Sequence, residues 1–176
     1  MVGLGNPGPE YERTRHNLGF RIARLLSSRW ELPKPKSRYV GLLSEGRAGV
    51  CGPRVAVLLP QTFMNESGRS VGPARGAFKV PLERLLVLHD EIDLPFGEVR
   101  TRLGGGLAGH NGLKSIRAAL GSPDFMRLRV GVGRPPTTDP DEVAAYVLSR
   151  FREPEDQIQA VVERAADEAQ RVVLSS

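Results

Sequence analysis

The chain has 176 residues, 40% hydrophobic and 26% charged, enough for one soluble domain with a buried core. No run approaches about 18 apolar residues and the opening MVGLGNPG lacks a basic, then apolar, leader, so neither a membrane span nor a secretory signal is expected and a cytoplasmic location is. A single cysteine, Cys51, excludes an internal disulfide, while a net charge of +5 and a pI near 9.9 suit a polyanionic partner.

In chain order, VGLG stopped by Asn6-Pro7-Gly8 reads as a strand entering a turn. Leu18, Ile22, Leu25, Leu26 and Trp30 recur at helical spacing and predict a helix over 18–30, ended before Pro33. RYVGLLSEGRAGV and RVAVLLP, separated by Cys-Gly-Pro, read as strands, either a hairpin or neighbours. NESGRSVGPARGAFKV predicts a weaker helix with Val71, Ala74 and Phe78 on one side, kinked or delayed by Pro73. RLLVLHD is nearly all apolar, the pattern of a central strand covered on both faces. EVRTRL and FMRLRVGVG alternate as strands; between them lie a glycine-rich loop, GGGLAGHNG, and a helix over LKSIRAAL. A helix is expected over VAAYVL, and another from Pro154 with Ile158, Val161, Val162, Ala165, Ala169, Val172 and Val173 on one stripe. Strands alternating with helices predict a single α/β sandwich domain over 1–176, a central mixed β-sheet flanked by helices.

Several chemistries are disfavoured. Gly3-Leu4-Gly5-Asn6-Pro7-Gly8 is formally G-x-G-x-x-G, but no helix opens directly after it and no acid ends a second strand about 20 residues on, so no nucleotide cofactor is expected. His16, His89 and His110 lack metal-binding spacing, so no metal is expected, and there is no G-x-S-x-G elbow. What remains is a set of polar residues at strand ends: Asn6, Asn65 and His89-Asp90, with His16-Asn17 and His110-Asn111 in loops. Each alone is an ordinary turn former or cap. Together they supply a proton carrier, a carboxylate to orient it and amides to meet a developing oxyanion, the needs of water-dependent acyl transfer. His89 ends an apolar strand and reads as a packed core residue, which leaves His16 with Asp90 as the preferred dyad. Between Arg100 and Arg134, seven cations face the single acid Asp124, an electrostatic footprint for phosphate.

The blocks GLGNPGPEYERTRHNLGF, PQTFMNESG, HDEIDLPFG, GGGLAGHNGLKSI and FMRLRVGVGRP, in this order, resemble the bacterial peptidyl-tRNA hydrolase family over nearly the whole chain. The resemblance implies a monomeric, metal-independent, cytoplasmic esterase that cleaves a peptide from the 3′ ribose of tRNA and recycles tRNA from prematurely released peptidyl-tRNA. By motif position, it implies His16 as catalytic base and Asp90 as its orienting partner. Asn6, Tyr11, Met64, Asn65 and Asn111 match substrate-holding positions, and Arg100, Arg102, His110 and Arg129 match positions that meet tRNA. For Arg127 the solvated face of an alternating strand is the preferred reading.

Three departures from the family pattern stand out. The first strand is expected to be short, Leu107-Ala108 replace a common His-Gly, and the loop over 136–142 is acidic where many relatives are basic. Two other functions fit parts of the pattern: a non-catalytic RNA-binding paralogue resembling the plant organellar splicing factors, and a small-ester hydrolase without RNA. The first has no need of a proton carrier such as His16; the second predicts activity insensitive to salt.

Overall fold

A computed structural model describes all 176 residues, Met1 to Ser176. Seven strands form one mixed sheet: β1 (Val2–Gly3), β2 (Lys36–Arg38), β3 (Gly41–Arg47), β4 (Arg54–Pro60), β5 (Leu86–Glu91), β6 (Val99–Leu103) and β7 (Met126–Gly131). Their spatial order is β2-β3-β4-β1-β5-β7-β6. The four inner strands β4, β1, β5 and β7 run parallel, and antiparallel strands close both edges. The helices are α1 (Leu18–Arg29), α2 (Gly68–Phe78), α3 (Asn111–Leu120), α4 (Pro140–Val147) and α5 (Glu155–Leu174).

Two apolar layers sandwich the sheet. On one face Ile22 and Leu26 of α1 and Ile158 and Val162 of α5 pack on Leu86, Leu88, Leu128 and Val130. On the other, Val71 of α2 and Leu113 and Ile116 of α3 pack on Val2, Val87 and Phe125. All six residues of β5 are buried, as expected of a strand covered on both faces. Its two-residue period puts Asp90 on the face of Leu86 and Leu88, toward α1, and His89 on the face of Val87. Helix α1 lies very close to the sheet because position 19 is glycine: a Cβ there would fall 2.3 Å from the Leu88 carbonyl oxygen.

The sequence reading holds for most elements, and the differences have local causes. β3 and β4 form the hairpin alternative. β2 was not anticipated: Lys36, Ser37 and Arg38 are all exposed, and only antiparallel pairing to β3 makes them a strand. The start of α2 is delayed to Gly68 by a 3-10 turn over Met64–Glu66, and the helix then runs through Pro73. Helix α3 begins two residues early, at Asn111, because the His110 side chain caps it.

Candidate active site

The site gathers at the carboxyl ends of β1, β4 and β5, where open α/β sheets expose strand-end side chains. His16 sits in a 3-10 turn, Arg15–Asn17, that leads directly into α1. Its Nδ1 lies 2.9 Å from Asp90 Oδ2 and 3.1 Å from Oδ1, joining residues 74 positions apart. His110 Nε2 lies 2.9 Å from Asp90 Oδ1. The carboxylate is therefore shared by two imidazoles.

The cap on α3 settles one tautomer. His110 Nδ1 accepts from the backbone N–H groups of Gly112 and Leu113, so its proton is on Nε2 and is donated to Asp90. Burial of Asp90 works against its ionisation, but the imidazoles of His16 and His110 and their hydrogen bonds outweigh it and hold the carboxyl well below the usual carboxylate range. An ionised Asp90 accepts from His16 Nδ1–H, which leaves Nε2 as the basic nitrogen. That Nε2 makes no hydrogen bond within the protein, and His16 lines the clefts on both sides of it. His89 stays in the core, its Nδ1 against the Asp90 carbonyl; burial, then the neighbouring His110, pushes its pKa down to about 3. It is a neutral spacer.

The facing donor atoms of His16, Asp90 and His110 all lie within 4.8 Å of one another, the one such cluster in the protein. Each imidazole stands at direct hydrogen-bond distance from Asp90, and His110 Nδ1 is spent on the helix cap. The arrangement is that of a hydrogen-bonded triad, whose donors satisfy one another.

Asn6 is held rigidly. Its backbone N–H donates to Asn17 Oδ1 and its carbonyl accepts from Asn17 Nδ2, both at 2.9 Å, while its Oδ1 accepts from the Met64 N–H at 2.7 Å. With Oδ1 engaged, only the Asn6 Nδ2 amide is left to offer, as a donor. A cleft of about 250 Å³ is lined by Asn6, Tyr11, His16, Met64, Asn65 and Asn111, with exposed Phe63 and Leu148 at an apolar rim. A second, of about 380 Å³, adjoins it and carries Glu91, Lys114 and Arg134. His16, Asn111, Ala144 and Val147 line both.

The peptidyl-tRNA hydrolase family model matches residues 1–176. The chain belongs to the peptidyl-tRNA hydrolase family. A peptidyl-tRNA hydrolase from Mycobacterium sp. (strain KMS) is 46% identical over 175 residues, covering 98% of this chain and 89% of that protein. Another, from Syntrophotalea carbinolica, is 48% identical over 166 residues, covering 94% and 85%. The crystal structure of peptidyl-tRNA hydrolase from Acinetobacter baumannii superposes with a TM-score of 0.86 at 36% identity, covering 99% of this chain and 87% of that one.

In this member of the peptidyl-tRNA hydrolase family the basic strands differ from the expectation at one residue and add detail at others. Arg127 is not on a solvated face: it is fully buried, and its guanidinium donates to the carbonyls of Gly106, at 2.7 Å, and Gly104. The glycine loop folds back over β7 and closes the face that the alternation left open. Arg129 is bonded to buried Glu91 at 2.9 Å, and Arg100 pairs with Glu98. Arg102 is exposed and lies against Gly105, where a Cβ would fall within 2.5 Å of its guanidinium. Register sets Arg100 opposite Arg129 and Arg102 opposite Arg127; Glu98 and Glu91 offset the first like-charge pair, and Arg102 is left without an acid. The His110 ring, with its side chain 7% exposed, is occupied by Asp90 and the helix cap. Asn17 as the brace of Asn6, and Lys114 and Arg134 as cleft cations, escaped the sequence reading; only the basic character of 100–134 pointed to the last two.

Proposed function

We propose that this chain is an esterase that releases the peptide from peptidyl-tRNA, working as a single monomeric domain in the cytoplasm without a metal. The observation that carries the reading is the unengaged Nε2 of His16, backed by ionised Asp90 and opening between clefts that hold Asn6, Asn65 and Asn111. Family membership supplies the substrate class.

His16 Nε2 takes a proton from water as the oxygen attacks the ester carbonyl, and the carbonyl becomes a tetrahedral oxyanion. Asp90 offsets the charge on the imidazolium. The intermediate then collapses, the bond to the ribose 3′ oxygen breaks, and His16 returns its proton to that oxygen. The products are a peptide acid and a tRNA 3′ hydroxyl. General-base assistance of this kind contributes about 10²- to 10⁴-fold. Asn6 and Asn65 hold the peptide backbone or the ester carbonyl, and Asn111 positions the water or the oxyanion, with Tyr11 and Met64 lining the same cleft. An amide-lined cleft recognises a peptide bond and holds no carboxylate to neutralise a free ammonium, so N-blocked aminoacyl groups are preferred. Arg100, Arg102 and Arg129 meet tRNA phosphate, with the cleft cations Lys114 and Arg134 close to the scissile end.

The test compares release of N-acetyl-aminoacyl label from tRNA with release from the same tRNA carrying an unblocked amino acid. Selective cleavage of the blocked substrate is expected. Binding of tRNA with cleavage of neither would overturn the hydrolase reading in favour of a binding module, and cleavage of small esters alone would remove the RNA.

A further inference from the structure

Arg15 precedes the proposed base, and it is only 2% exposed. A buried cation ordinarily needs a carboxylate, yet none of the ion pairs in the protein includes Arg15. Its Nη1 instead donates to the Tyr146 carbonyl at 3.0 Å and to Ser149 Oγ. The guanidinium also stacks on Tyr146, 3.9 Å from the ring centroid, with the Phe151 ring 5.8 Å away. Tyr146 lies in the last turn of α4, where the negative end of the helix favours a cation, and its carbonyl also accepts from the Ser149 N–H and hydroxyl, which ties Ser149 into the same contact.

Backbone contacts run alongside. Arg15 N–H donates to the Ser149 carbonyl at 3.1 Å, and Thr14 pairs with Arg150 as an isolated antiparallel bridge. The Tyr146 hydroxyl reaches the Val132 carbonyl at 2.6 Å, just past β7. Helix α4 is otherwise weakly held: of its eight residues only Val147 is buried. Yet Ala144 and Val147 line both clefts. The wall shared by the two clefts thus rests on the side chain next to His16.

We propose that Arg15 is a positioning residue that locks the α4 wall to the turn carrying His16, so that the wall and the base keep a fixed spacing. The lock acts through α4. It does not act through the His16 bond to Asp90, which is made by a different strand. The kinetic part of the proposal rests on the hydrolase reading above.

The test combines hydrogen exchange with steady-state kinetics on the full chain. In Arg15→Gln the amides of α4 should exchange about 5- to 30-fold faster, with α5 unchanged, a factor matching the loss of a few local interactions. KM for N-acetyl-aminoacyl-tRNA should rise while the midpoint of the kcat–pH profile stays in place. Arg15→Lys, lacking the planar fork, should restore only part of the protection. Tyr146→Leu should reproduce both effects without adding to them, and it carries the test if Arg15→Gln does not fold. Wild-type exchange in α4, faster exchange in every helix, or a moved kcat–pH midpoint at unchanged KM would each overturn the lock. A wild-type protein that cleaves no blocked substrate would overturn the hydrolase reading and leave the exchange measurement to decide on Arg15.

Discussion

His110 donates from Nε2 to Asp90 Oδ1 at 2.9 Å, on the same carboxylate that orients His16. The bond makes His110 part of the scaffold of the dyad, because the nitrogen opposite it is spent on capping α3. Removing the ring should therefore cost both fold and rate. His110→Ala should lower stability by about 1–3 kcal/mol, a lost cap plus an under-bonded buried carboxylate, measured by urea unfolding. Its kcat should fall less than in His16→Ala, which loses the proposed base itself; a His110→Ala protein of wild-type stability would remove the scaffold role.

Asp90→Asn separates orientation from binding. An amide at this position carries no charge and can present N–H toward His16 Nδ1, favouring the wrong tautomer. The expected result is a kcat about 10²- to 10⁴-fold lower with KM little changed. An equal rise in KM would mean that Asp90 serves substrate binding.

His89 should leave a mark on stability against pH. An unfolded chain protonates this histidine near 6.5, whereas the folded protein resists it down to about 3. Below 6.5 the unfolded state therefore binds the extra proton, so the contribution of His89 is complete above pH 6.5 and declines as pH falls toward 3. His89→Leu should flatten the fall in Tm between pH 6.5 and pH 4 relative to the parent. Parallel Tm curves for the two proteins would contradict this.

Arg127 should behave as a structural tether. Arg127→Met leaves the carbonyls of Gly104 and Gly106 without their donor. Loss of hydrogen bonds from a charged group predicts about 1.5–3 kcal/mol each at most, read by chemical denaturation. Arg127→Lys should not restore both bonds, since one ammonium replaces a fork. Faster exchange in residues 104–109 should accompany either change.

Arg102 offers the simplest electrostatic test. It is exposed and has no acidic partner, unlike Arg100 and Arg129. If it meets a phosphate, Arg102→Ala should weaken tRNA binding and reduce the slope of log affinity against log salt by about one. An unchanged slope would assign Arg102 to the solvated surface.

Much of the architecture was legible because it is written in local patterns. The stripe from Leu18 to Trp30, the apolar run ending at His89-Asp90 and the stripe beyond Pro154 each marked an element correctly, since helix and strand periods depend on neighbours a few residues away. Asn6, Asn65 and Asp90 could be grouped with His16 from the sequence because open α/β sheets expose the residues at the carboxyl ends of their strands. The edge strand Lys36–Arg38 carries no such pattern, since its identity comes entirely from β3.

The site was legible as a set of residue types, and much less so as a set of bonds. Sequence order alone supplied the candidate dyad, the asparagines and the basic strands. Only the tertiary structure decided that His110 turns inward to Asp90, that Asn17 braces Asn6, that Glu91 takes Arg129 and that Arg127 is buried beneath its glycine loop. These contacts join positions 11 to 38 residues apart, and the candidate dyad spans 74. Local periodicity says which face a side chain takes; what that face meets is set by packing between elements distant in the chain.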